Sequence, residues 1–128
     1  MKLLLDTCSF LWLAQEPDAL SAKAKERLDE PGISISLSDV SVWEITMKHA
    51  AGKLPLPEEP RGWIERKREY HLLEGLPISR EALYLSGELP MVHRDPFDRL
   101  LAAEAILGGY TIVSPDQPLS DLGAARVW

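Results

Sequence analysis

Hydrophobic residues in this chain fall in short runs and at helical spacing, not in long blocks. Lys2 to Leu5 is a brief apolar run that ends on a carboxylate, Asp6, as a buried first strand would. Ser9 is placed to cap a helix through Phe10, Leu11 and Leu13 that stops before Pro17. Ser21 opens a second helix with Ala24 and Leu28, closed by Pro31-Gly32, and Ile33 to Leu37 alternates apolar residues with serine in a strand pattern. Ser38 or Asp39 caps a third helix, where Val40, Trp43 and Met47 form an apolar stripe bordered by Glu44; Gly52 closes it. Pro55, Pro57 and Pro60 make residues 53–60 an extended loop. A polar helix then covers Arg61 to Glu69, a short strand lies near Leu72 and Leu73, and Ser79 caps a helix ending at Gly87. Asp95, Pro96 and Asp98 supply a cap, a proline at the first helical position and an acid three residues after the cap. That helix runs through Leu100, Leu101, Ala105 and Leu107 to Gly108-Gly109, and Tyr110–Val113 and Arg126–Trp128 are the last strands. Strands alternating with helices define an α/β sandwich around a mostly parallel sheet. No repeat or linker interrupts it, so residues 1–128 form a single domain.

Composition narrows the class without changing that picture. The 128 residues are 45% hydrophobic and 27% charged, values of an ordered globular domain able to bury its own core. The opening Met-Lys-Leu-Leu-Leu-Asp is too short an apolar run for a secretion signal or a membrane span. Cys8 is the only cysteine and has no partner for an intrachain disulfide, so a soluble cytoplasmic protein is expected. The net charge of −6, from 14 basic and 20 acidic residues, runs against ordinary nucleic-acid binding, which draws on a basic surface. Divalent ions held by a carboxylate cluster would offset much of this charge, with the remaining basic residues placed near the cluster.

Four carboxylates stand out as such a cluster. Open parallel sheets build their sites at the carboxyl ends of strands. Asp6 ends the first strand, Asp116 follows the strand ending at Val113, Asp98 lies in the first turn of its helix, and Glu44 borders the third helix's stripe. Hard divalent ions prefer oxygen ligands, and one or two of them assist in-line displacement at a phosphodiester. Plain structural readings stand beside this one. Asp95 is an N-cap and Asp98 favours the helix dipole. Glu44 and Lys48 have the i,i+4 spacing of a surface ion pair, and Asp116 sits in a Ser-Pro-Asp turn. Asp6 has the least structural excuse, directly after three leucines.

The chain resembles a known family at this point. Leu-Leu-Leu-Asp-Thr at 3–7, Val-Trp-Glu-Ile at 42–45 and Asp-Pro-Phe-Asp-Arg-Leu-Leu-Ala-Ala at 95–103 resemble the PIN domain. More narrowly, together with Lys48-His49, the Gly52–Pro57 stretch and the ending Val127-Trp128, they are similar to the VapC-type toxins of bacterial toxin–antitoxin pairs. The resemblance covers essentially the whole chain. It implies a three-layer α/β/α sandwich, a Mg²⁺ or Mn²⁺ site and endoribonuclease activity on an RNA substrate. It also implies a small cognate antitoxin, with a homodimer expected and no membrane. By the same resemblance Asp6, Asp98 and Asp116 are metal ligands, and Glu44 binds metal directly or through water and orients or deprotonates the attacking water. Thr7 and Ser114 match the polar residues flanking the first and fourth acids, and Asp95 is an outer candidate, with Asp121 weaker again. Lys48, Arg99, His49, His93 and Arg94 are candidate phosphate contacts. Pro115 and Gln117-Pro118 depart from the family pattern around Asp116. Part of the apolar surface of the Phe10, Trp12 and Leu13 helix is expected to be covered by another chain.

Other function classes fit less well. A receiver domain wants paired acids after the first strand and a lysine after the last one, but Thr7-Cys8 follow Asp6 and only Arg126 lies near the end. An Asp-x-Asp phosphatase fails because Cys8 occupies the second acid position. An inactive binding module is disfavoured by the presence of all four acids.

Overall fold

Local capping chemistry sets most of the element boundaries. The structure, a computed structural model, describes all 128 residues. In chain order it contains β1 (Lys2–Leu5), α1 (Thr7–Gln15), a 3₁₀ turn (Pro17–Ala19), α2 (Ala22–Leu28), β2 (Ser34–Ser38), α3 (Asp39–Ala50) and α4 (Pro60–Tyr70). There follow β3 (Glu74–Leu76), α5 (Arg80–Glu88), α6 (Pro96–Gly108), β4 (Thr111–Val113), α7 (Gln117–Asp121) and β5 (Ala125–Val127). Ser21, Ser38, Ser79 and Asp95 each accept a backbone N–H at the start of α2, α3, α5 and α6, as their sequence positions predict. Gly109, at φ 70°, ends α6 in the left-handed conformation that glycine tolerates best.

Three expectations are corrected. The cap of α1 is Asp6, not Ser9: Asp6 Oδ1 accepts the Ser9 N–H at 2.8 Å, while the Ser9 hydroxyl donates to Val113 O at 2.7 Å. The strand expected at Leu72 and Leu73 begins at Glu74, because Leu72 takes a left-handed turn (φ 55°) just after α4. The Ser-Pro-Asp turn at Asp116 runs on into a short helix, α7 (Gln117–Asp121), which the sequence pattern does not predict.

The five strands are all parallel, in the order β3-β2-β1-β4-β5. The chain moves outward from β1 through β2 to β3, then returns to the other side of β1 for β4. The switch point therefore lies between β1 and β4, where ligand sites form in open α/β sheets. Alternation along β1 supplies the two hydrophobic layers. Leu3 and Leu5 pack on one face with Phe10, Ala24 and Ile64 of α1, α2 and α4. Leu4 packs on the other with Ala82, Leu101 and Leu119 of α5, α6 and α7. The result is a three-layer α/β/α sandwich.

Helix α1 does not leave its apolar side open as expected. Phe10 is fully buried against Trp63, and Trp12 is half-buried beside Trp128, with ring centroids 5.5 Å apart. In α3 the expected stripe is only partly inward. Val40, Ser41, Glu44 and Ile45 are buried, whereas Trp43 and Met47 are exposed.

Candidate active site

Asp6 is carried by the β1–α1 junction, at the carboxyl end of the central strand, and is buried. Its carboxyl pKa is pushed up to about 6, chiefly by burial. Hydrogen bonds from Ser114 and Ser9 oppose that rise, and the negative charge of Asp116 adds to it. The fully buried Ser114, following β4, accepts the backbone N–H of Asp116 at 3.0 Å and faces Asp6 as well. Asp116 is exposed and starts α7 without making a side-chain cap. Arg126 on β5 fixes this turn through Ser114 O at 3.0 Å, Ser120 Oγ at 2.9 Å and the Gln117 side chain at 2.9 Å. Asp116 thus stays near enough to Asp6 for its charge to act on that carboxyl.

Glu44 and Asp98 form a second acidic pair. Glu44 on α3 is buried, with Oε1 accepting the Thr7 hydroxyl at 2.6 Å and Oε2 paired with Lys48 Nζ. The expected i,i+4 pair forms, but around a buried carboxylate, and Glu44 raises the Lys48 pKa in return. Asp98 lies in the first turn of α6 with Oδ2 at 2.7 Å from His93 Nε2. Burial raises the Asp98 pKa, His93 opposes the rise, and the charges of Asp95 and Glu44 add to it. Asp95 is the α6 cap, accepting Phe97 N at 2.9 Å and Asp98 N at 3.4 Å, so its structural reading is realised.

Cys8, at the start of α1, senses acids of both pairs. Burial and then the charges of Asp6, Asp116 and Glu44 push its thiol up to about 11, which marks a region that repels further negative charge. All four predicted acids thus lie at the same end of the sheet, from four different elements. Their chemistry fits a hard cation: carboxylates, with Ser114 and Thr7 hydroxyls beside them, and Mg²⁺ commonly takes one or two carboxylates plus water and substrate oxygens. No three His, Cys, Asp or Glu side chains converge closely enough to enclose an ion by themselves. Glu44 is tied to Thr7 and Lys48, and Asp98 to His93, instead of turning toward a common centre.

Several supporting candidates have other duties. Arg99, an expected phosphate contact, is buried and donates to four carbonyls: Ser86, Leu89, Pro90 and His93. Lys48 is occupied by Glu44, and His49 Nδ1 lies 3.0 Å from Leu54 O in the loop after α3. Asp121, at the end of α7, is exposed. Arg94 is exposed and makes no ion pair. Sequence reasoning assigned no part to Arg126 and treated His93 only as a possible phosphate contact. No local signal marks Arg126, whereas the i,i+5 spacing of His93 and Asp98 across a helix start was available.

Comparison with known proteins bears on the family and the fold. Ribonuclease VapC22 from Mycobacterium tuberculosis is 25% identical over 118 residues, covering 91% of this chain and 88% of that protein. The crystal structure of VapBC2 from Rickettsia felis, bound to a DNA fragment from its promoter, superposes with a TM-score of 0.70 at 18% identity. It covers 100% of this chain and 99% of that one. DNA-bound VapBC from Salmonella typhimurium also gives 0.70, at 17% identity, covering 99% and 97% of the two chains. At these identities the two structures speak to the fold alone. The PIN domain family itself matches residues 3–125, from the first strand to the start of the last and across all four acids, and the chain belongs to it.

Proposed function

We propose that this chain is a metal-dependent endoribonuclease, the toxin of a type II toxin–antitoxin pair, which hydrolyses RNA phosphodiester bonds at Asp6, Glu44, Asp98 and Asp116. The observation that carries the reading is that these acids lie at one end of the sheet beside its switch point, with the charge of Asp116 acting on Asp6 and that of Glu44 on Asp98. The similarity to Ribonuclease VapC22 supports the choice of RNA. The likeness in fold to VapBC complexes supports a small cognate protein as partner. A homodimer remains part of the proposal.

Asp6, Asp98 and Asp116 would hold Mg²⁺ or Mn²⁺, with Glu44 joining directly or through water. When bound, the ion supplies Lewis-acid neutralisation of the charge that develops on the phosphate. The chain's own groups do the rest. Glu44 orients the attacking water and accepts its proton as the water oxygen bonds to phosphorus and the phosphorus–oxygen bond to the leaving strand breaks, the leaving oxygen taking a proton from solvent. Thr7 and Lys48 hold that carboxylate in position. His93 steadies Asp98, and Arg126 steadies the turn that carries Asp116.

Asp98→Asn and Asp116→Asn should each remove RNA cleavage while circular dichroism stays native, and chelation should silence the wild type until Mg²⁺ or Mn²⁺ is restored. Cleavage persisting in excess EDTA would sink the mechanism.

A further inference from the structure

We propose that Trp43 is a stacking platform for an unpaired nucleobase of the RNA strand, set beside the reacting carboxylates. This inference rests on the ribonuclease reading and names the form of RNA that the site accepts. Trp43 belongs to neither hydrophobic layer and is 47% exposed. The apolar spacing of α3 predicts the reverse: the fold turns the indole outward and buries the carboxylate of Glu44 in its place. A helix that leaves its largest apolar residue in water while burying an acid departs from the usual pattern, and such departures concentrate at functional sites.

The ring is also held in place. Phe97, packed against the core from α6, meets it edge-to-face, with centroids 4.8 Å apart and planes at 70°. A T-shaped neighbour covers at most one face of the indole, and nearly half of the residue's surface stays accessible. Trp43 immediately precedes Glu44, and Phe97 immediately precedes Asp98. The two rings thus bridge the same pair of helices as these two carboxylates, whose charges sense each other. A base lying on the indole is therefore close to the phosphate being cut.

Charge decides what the platform is for. The chain carries −6, Lys48 is paired with Glu44, and Arg99 is committed to carbonyls, so phosphate attraction is weak. Stacking supplies affinity that does not need cations and tolerates any base, because every base has a π-face. Bases in a duplex keep their faces in the stack, so only a splayed base can be accepted. A second copy of the chain fits this surface less well. Trp43 and Met47 are the only large exposed apolar residues on α3, and a stable interface needs roughly 800 Å² per partner.

The test uses wild type, Trp43→Ala, Trp43→Met and Trp43→Phe in chelator, so that binding is read without cleavage. The probe is a short fluorescein-labelled RNA of mixed sequence, offered as a single strand and as a duplex. Alanine and methionine should weaken single-strand binding by about 5- to 150-fold, the range of one lost base–aromatic stack. Phenylalanine should restore most of it, and duplex binding should not change. The methionine variant keeps apolar bulk in place, so it guards against a fold defect in the alanine variant. Single-strand affinity within about twofold of wild type in both variants overturns the platform alone, provided the wild type cleaves RNA when metal is added. Sedimentation showing that Trp43→Ala splits a dimer overturns it in favour of a protein contact. A wild type that neither binds nor cuts RNA overturns the ribonuclease reading itself.

Discussion

Arg99 offers the sharpest test of where the positive charge of this chain is spent. The residue is 6% exposed and has no acidic partner; instead its guanidinium donates to Ser86 O at 2.9 Å, Pro90 O and His93 O at 2.8 Å, and Leu89 O at 2.7 Å. These carbonyls belong to the end of α5 and the connector that leads into α6. Replacing Arg99 by Met keeps the length of the stem and removes every donor. Hydrogen bonds to a charged group are worth about 1.5–3 kcal/mol each, but that gain is partly cancelled because the guanidinium itself no longer has to be desolvated. Three of the four bonds are only part-buried, so water can replace them, while the Leu89 bond is buried and its orphaned carbonyl costs about 1–3 kcal/mol. A net loss of about 2–4 kcal/mol follows, and Arg99→Lys should lose about half of that, because an ammonium cannot fork to four acceptors. Urea unfolding with an unchanged slope measures this directly. Cleavage should fall as well, because the same connector carries His93 against Asp98. If Arg99→Met keeps its stability within about 0.5 kcal/mol while RNA binding collapses, Arg99 is a phosphate contact after all.

Glu104 on α6 is buried, with Ser38 Oγ donating to Oε2 at 2.7 Å and Oε1 left without a partner. Burial raises its pKa to about 7. The folded state therefore holds this proton more tightly than the unfolded chain, so its contribution is complete below about pH 4.5 and is lost as pH rises through 7. Urea unfolding should show a decline of up to about 2–3 kcal/mol across that window that Glu104→Gln removes; an unchanged pH profile in the variant would place the titration elsewhere. Leu72 is 86% exposed at φ 55°, so Leu72→Gly should stabilise the fold by about 0.5–1 kcal/mol by relieving left-handed strain. A lower melting temperature for that variant would show that the turn is not strained.

Most element starts are legible in the sequence because a cap acts over two or three residues. Ser21, Ser38, Ser79 and Asp95 sit immediately before their helices and bond the nearby backbone whatever surrounds them. The four acids were legible in a different way, as carboxylates at element ends in a fold whose switch point gathers such ends. What each side chain faces was decided by tertiary packing. Ser9 and Asp6 compete for one cap, and Asp6 wins because Ser9 is drawn away to Val113, far along the chain. Arg99 and Lys48 look like free cations in sequence, yet one is consumed by carbonyls of the α5–α6 connector and the other by a carboxylate buried against α1. Trp43 and Glu44 are neighbours that a helical spacing rule would sort with the indole inside. The rule fails because Thr7 of α1 meets α3 on the side of Glu44 and, with Lys48 one turn along, satisfies the carboxylate, whereas Trp43 meets the edge-on ring of Phe97. Periodicity measures the apolar content of a helix face, whereas burial follows the partners that face finds, and those partners come from distant parts of the chain.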